Sequence, residues 1–221
     1  MTVSHHPSDE LLFDYASGAL GEAWSLAIAT HLALCPRCRA AVSGLERLGG
    51  ELVEATPMEA VSDGLLDAVL TRVDAAPAPA ASPVPVLKVA PTTAPRLPQP
   101  LRDYVGGDVE TLPWRRLGRG AYQCLIPLQE AGVTARLLRI PAGKPVPEHS
   151  HGGLELTLVL CGAYSDDSGT YGRGDLQEAD ETTLHQPHAA AEKDCICLAI
   201  TDAPLRFKSL AARMVQPLLG I

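Results

Sequence analysis

Three side chains at short, fixed spacing carry the first chemistry in this chain of 221 residues: His31, Cys35 and Cys38, in the pattern His-x3-Cys-x2-Cys. If His31 ends a helix, Cys35 follows one turn later on the same face. Cys38 then falls in the first turn of a helix beginning at Pro36, where the partial positive charge of the terminus favours a thiolate. One imidazole and two thiolates can converge on a tetrahedral ion, with Zn–S near 2.3 Å and Zn–N near 2.0 Å. A fourth ligand is still needed, and His5 and His6 are the other histidines in this part of the chain. A thioredoxin-like redox pair would need a βαβ setting, haem attachment would need histidine where Arg39 stands, and burial of all three side chains as core would need a coincidence of spacing. A second pattern lies far downstream: Gly143-x5-His149-x-His151-x3-Glu155-x6-Gly162. On a strand, His149 and His151 share a face and Glu155 has the same parity, while Gly152-Gly153 lets the backbone bend between them. Imidazole with carboxylate suits zinc, iron, manganese or nickel. Histidines bonded to backbone in an ordinary barrel would explain the same residues without a metal.

The elements that must position these groups are legible around them. Ser8 caps a first helix with Asp9 and Glu10 in its first turn; Leu11, Leu12, Tyr15 and Ala16 form its apolar stripe, and Gly18 and Gly21 bracket its exit. A second helix spans about 22–34, a third runs from Pro36 towards Val53, and a fourth covers about 62–74 with Leu65, Leu66, Val69, Leu70 and Val73 on a broad apolar face. Four short helices make a thin core that needs a staple, which bound zinc would provide. Residues 75–100 contain eight prolines among repeated alanines, a composition that blocks helix and sheet alike and predicts an extended linker. Beyond it, short apolar runs at 135–140, 154–160 and 194–200, with a turn at 170–175, predict an antiparallel sandwich or barrel. The expected division is therefore 1–76, linker 77–100 and 101–221.

Composition narrows the function. Net charge is −8, and residues 1–76 alone hold eleven acids against four arginines, so phosphate backbones would be repelled and a basic protein partner fits better. No apolar run is long enough to span a bilayer, and the N-terminus lacks a secretory pattern, which makes the cytoplasm the default. There the six cysteines read as metal ligands, redox groups or core before disulfides. Cys195 and Cys197 lie on a predicted strand pointing the same way, as core residues or as a thiol sensor, at a spacing that suits a disulfide poorly.

His6, the stretch Ser8 to Leu20, and His31-x3-Cys35-x2-Cys38 resemble the zinc-binding anti-sigma domain of bacteria over about residues 5–75. The resemblance implies a small helical bundle with zinc on His6, His31, Cys35 and Cys38, His5 being the alternative upstream ligand. It also implies a fourth helix that packs on a sigma factor, although ordinary bundle core explains the apolar face at Leu65 and Leu66 equally well. The downstream pattern matches the first cupin motif at each spaced position. Gly174 to His185 resembles the second, with Asp180, Thr182 and Ala189 replacing its usual proline, glycine and asparagine. This implies a cupin jelly-roll barrel and a site of His149, His151, Glu155 and His185, with His188 as the alternative to His185. The combination, together with Cys195 to Phe207, resembles the ChrR-type anti-sigma factors. The implied fold is multidomain, an all-α zinc-stapled bundle followed by an all-β cupin. The implied function is inhibition of an ECF-type sigma factor in a 1:1 complex, with release under oxidative stress such as singlet oxygen. The zinc of the first site is expected to be structural, and the cupin to hold zinc or another divalent transition metal. No contact with nucleic acid or membrane is expected. The competing reading is a metal-dependent cupin oxygenase or isomerase with an accessory zinc module; a stand-alone thiol switch on Cys35 and Cys38 is a third.

Overall fold

A computed structural model describes residues 2–76, 95–118 and 120–208. Its helices begin where capping chemistry places them. Ser8 caps α1 (Asp9–Ser17) by accepting from the Leu11 amide, and Gly18, in the left-handed conformation, closes it. Helix α2 (Glu22–Leu34) lacks a cap side chain of its own. The carboxylate of Glu130, from a loop of the β-rich region, accepts from the Ala23 amide instead, 3.2 Å away. A Cβ at Gly21 would overlap that carboxylate, so the helix start is built for this approach. Cys35 alone separates α2 from α3 (Pro36–Glu54), and α4 spans Leu65–Ala75.

The sequence predicts a second helix over about 22–34 that carries Trp24, Ile28 and Leu32. The structure buries Ala23, Leu26, Ala27, Ile28, Thr30, His31 and Leu32, which is most of its circumference. The reason is tertiary: α2 meets α1 on one side, and α5 (Gln99–Val105) and the sheet on others. Among the described residues, those up to Arg47 and those from Pro95 onward form one compact unit, and those from Leu48 to Ala76 belong to a second. The expected staple therefore has help, because α1 to α3 share a core with the β-rich region.

That region contains a six-stranded antiparallel sheet in the order β1 (Arg115–Leu117), β2 (Ala121–Ile126), β3 (Thr134–Ile140), β11 (Cys195–Thr201), β5 (Glu155–Cys161), β8 (Leu176–Ala179). A three-stranded sheet joins β10 (His188–Ala189), β6 (Ala163–Asp166) and β7 (Gly169–Gly172). Another joins β12 (Arg206–Phe207), β4 (His149–Ser150) and β9 (Leu184–His185). Alternation along β5 and β11 divides two cores. Leu156, Leu158, Leu160, Ile196, Leu198 and Ile200 join the core shared with the helices. Val159, Cys195 and Cys197 join a second core with Tyr164, Tyr171 and Ala189. Both faces of these strands are covered, which is why 194–200 reads as a continuous apolar run rather than an alternating one.

The linker expected at 77–100 falls outside the described residues as far as 94. Its last part is corrected by packing: Leu97 and Leu101 are 2% and 0% exposed, and Asp108 accepts from the amides of Arg96 and Leu97. The chain has joined the core by Leu97, despite its prolines, and Pro98 serves as the N-cap residue of α5. The fourth predicted helix is present, but Leu65, Leu66, Val69, Leu70 and Val73 are all exposed, so bundle core does not account for its apolar face. Among the described residues no helix is long and apolar enough to cross a membrane.

Candidate metal centres

The single-residue junction between α2 and α3 turns Cys35 and Cys38 towards each other, with the Cys38 amide 3.5 Å from Cys35 Sγ. His6 arrives from the extended segment ahead of α1, its Nδ1 3.4 Å from Cys35 Sγ and 3.3 Å from Cys38 Sγ. His31, fully buried, completes a group whose donor atoms all lie within 4.8 Å of one another. Bond lengths near 2.0 and 2.3 Å in a tetrahedron separate the donors by about 3.3–3.8 Å, so these spacings fit zinc. His31 supports the same reading. Its Nδ1 donates to the Gly174 carbonyl at 2.9 Å, which leaves Nε2 as the lone-pair nitrogen, and that buried atom has no hydrogen-bond partner. Burial lowers the His31 pKa to about 4, keeping the ring neutral, while burial and the Cys35 thiol push that of Cys38 up to about 12 in the absence of a cation. Of the two upstream histidines the structure brings His6 to the cysteines. His5 instead lies against Tyr171, ring centroids 4.3 Å apart.

The second cluster is built on β4 and β9. His149 and His185 are cross-strand partners, and His151 follows β4 directly. The Nε2 atoms of His149 and His151 each lie 3.2 Å from Nε2 of His185. All three rings are buried. Their outer nitrogens face acceptors: His149 Nδ1 donates to the Pro147 carbonyl at 2.8 Å, His185 Nδ1 to Asp166 at 2.7 Å, and His151 Nδ1 lies 3.5 Å from Glu155. Three lone pairs thus converge on one point, an arrangement that repels unless a cation occupies it, and the outer partners set the tautomers a metal requires. Burial lowers the His149 pKa to about 4, which again keeps a donor free.

Glu155 stands apart from this trio. It lies 3.5 Å from His151 Nδ1 and accepts from Thr157 Oγ1 at 2.9 Å, outside the group of three histidines whose donor atoms converge. Burial acts to raise its pKa, but the contacts with His151 and Thr157 outweigh this and hold the carboxylate below its ordinary range. His188, the alternative fourth histidine, is exposed, donates to the Gln186 carbonyl and is not among the convergent donors. Sequence reasoning missed Asp166, a fully buried carboxylate bonded to His185. They lie nineteen positions apart, on β6 and β9 of different sheets, so no periodic signal links them and only the packing of those sheets could reveal the contact.

Cys195 and Cys197 are free thiols 3.5 Å apart, both buried. The neighbouring thiol and burial raise the Cys197 pKa well above the ordinary thiol range, which suppresses the nucleophilic thiolate.

Comparison with known proteins sets this geometry in a family. The ChrR cupin-like domain matches residues 103–203. The anti-sigma-E factor ChrR of Cereibacter sphaeroides is 47% identical over 224 aligned positions, which cover 100% of both chains. The chain belongs to the ChrR family of anti-sigma factors. A chain of the crystal structure of Rhodobacter sphaeroides SigE in complex with the anti-sigma ChrR is 45% identical, with a TM-score of 0.77. The match covers 91% of the present chain and 100% of that one.

Proposed function

We propose that this protein binds and inhibits an ECF-type sigma factor in a 1:1 complex and releases it under oxidative stress such as singlet oxygen, acting in the cytoplasm as a negative regulator of transcription. The observation that carries the reading is end-to-end identity of 47% with an anti-sigma-E factor. An exposed apolar face on α4, with Leu48, Leu52 and Val53 exposed near the end of α3, offers the surface such a partner needs. The acidic balance of residues 1–76 complements a basic partner and disfavours direct contact with nucleic acid. Family membership supports a regulatory protein and lends nothing to the cupin oxygenase or isomerase alternative.

His6, His31, Cys35 and Cys38 would hold zinc. Four protein donors would close the tetrahedron, so zinc bound there would be structural, joining the segment before α1 to the α2–α3 junction. His149, His151 and His185 would hold zinc or another divalent transition metal, with Glu155 as the adjacent carboxylate. Bound there, the metal would supply a Lewis-acidic centre with room for a further ligand. Asp166, Pro147 and Glu155 orient the three rings from outside. Residues 1–76 and 101–221 would divide the work, the first binding the partner and the second responding to the stress.

The test is co-expression of the full chain with the ECF sigma factor of its own genome, followed by co-purification and transcription in vitro. A stoichiometric complex that blocks transcription is expected. Full activity of the sigma factor in the presence of excess chain would overturn the assignment.

A further inference from the structure

A chain of contacts runs from one cluster towards the other, hydrogen-bonded as far as the Tyr171 hydroxyl and continued by ring contact with His5. His185 donates through Nδ1 to Asp166, whose other oxygen accepts from the Ser168 amide. Gln177 donates to Asp166 at 2.9 Å and lies 3.2 Å from the Tyr171 hydroxyl, and the ring of Tyr171 rests against that of His5. His6, the next residue, points its Nδ1 between the two thiols. Asp166, Gln177 and Tyr171 are all buried or nearly so, and a satisfied network in such surroundings holds its members to one arrangement.

The segment ahead of α1 has no helix or strand of its own. The β-rich region holds it: Asp175 accepts from the amides of Ser4 and His5, the Leu176 amide donates to the His5 carbonyl, and Glu178 accepts from the Ser8 amide. Gly174, with φ of +96°, makes room; a Cβ there would come within 2.7 Å of Val3. Its carbonyl also fixes His31. The turn after β7 thus holds the His6 segment and hydrogen-bonds His31, while α2 and the start of α3 carry His31, Cys35 and Cys38.

We propose that Asp166, Gln177 and Tyr171 are positioning residues that couple the clusters, so that metal bound among His149, His151 and His185 tightens metal binding at Cys35 and Cys38. The element with two states is the segment 3–8, docked on the β-rich region or released. Metal on His185 Nε2 strengthens its hydrogen bond to Asp166, which orders Gln177 and Tyr171 and favours the docked state that presents His6. Loss of that metal favours release. The proposal deepens the reading that both clusters hold metal, and it rests on it.

Cobalt(II) titration of the full chain tests it, because thiolate-to-cobalt absorption reports Cys35 and Cys38 and not the sulfur-free cluster. His151→Ala breaks the second cluster and leaves the His185–Asp166 bond in place. It is expected to weaken cobalt binding at the thiolates by about five-fold or more. In a Tyr171→Phe background, which keeps the ring and loses the hydroxyl, the same change should have less than about two-fold effect. An equal effect in both backgrounds, or none in either, overturns the proposal. Amide exchange at residues 4–8 gives a second measurement that needs no change at Tyr171. With the thiolate cluster saturated, exchange should be about five-fold or more faster in His151→Ala than in the unaltered chain, and equal rates overturn the coupling. The number of cobalt ions bound per unaltered chain reports separately on the underlying reading: one instead of two removes that reading and the proposal with it. No measurement here involves the sigma factor.

Discussion

At the α2–α3 junction, Cys35 and Cys38 lie three residues apart and are joined by histidines from a distant segment and from within α2. The second cluster takes its donors from two short paired strands, and no sulfur enters it. The helical site gathers four donors and leaves no side open, whereas the strand site gathers three histidines, with Glu155 behind one ring and a cleft of about 400 Å³ at His185, lined also by Glu148, Asp166 and His188. The difference follows from what holds each scaffold together. Strands β4 and β9 are anchored to each other by backbone hydrogen bonds. The segment carrying His6 has no helix or strand of its own and is held by hydrogen bonds to Asp175, Leu176 and Glu178. A metal there would add a tie to the α2–α3 junction, whereas a metal among the strands would join elements already paired.

The largest expected effect is on the helical site. Cys38→Ser removes a thiolate from a closed tetrahedron. Structural zinc in small domains contributes about 10 kcal/mol or more of apparent binding free energy. The variant should lose its zinc and much of the circular dichroism of α1 to α3. His149→Ala should lose the other metal with helicity unchanged. Equal loss of helicity in the two would erase the contrast.

Acidification comes next. Both His31 and His149 have pKa values lowered to about 4 by burial, against 6.5 unfolded. Between these values the unfolded chain binds more protons, so stability is fully present above about pH 6.5 and is lost as pH falls towards 4. Each histidine contributes at most about 3 kcal/mol in metal-free chain. Denaturant midpoints of chelator-treated protein at pH 7 and pH 4.5 measure this, and a flat profile would show that neither ring is held neutral by burial.

Asp166→Asn should cut affinity at the strand site about ten- to a hundred-fold, the range for partners that orient a ligating histidine. Metal competition against a chromophoric chelator reads it. An unchanged affinity would mean that pairing of β4 with β9 orients His185 unaided. The smallest effect on stability is expected at Leu66, which is 67% exposed. Leu66→Asp should shift unfolding free energy by about 0.5 kcal/mol or less yet disrupt the sigma-factor complex. Retained binding would move the docking surface away from α4.

Much of the helical region is legible in the chain. Ser8, Gly18 and Pro36 mark helix ends by local backbone chemistry, and α1 to α3 begin and end within a residue or so of the positions such signals predict. His31, Cys35 and Cys38 lie close in sequence, so helical geometry alone brings them together. The histidines of the strand site share a face by the two-residue period. Other features depend on long-range contacts that no local pattern encodes. The burial of Leu97, against the reading of a proline-rich linker as far as residue 100, reflects a shared core with α2 that exists only once the chain is folded. The choice of His6 over His5 is made by Asp175 and Tyr171, more than 160 residues away. Packing of β6 against β9, which belong to different sheets, likewise decides that Asp166 reaches His185. The sequence by itself determined which residues can bind metal and where helices start and stop, because those depend on side-chain chemistry and nearest neighbours. The tertiary structure alone decided which histidine enters which cluster, because that depends on which surfaces meet.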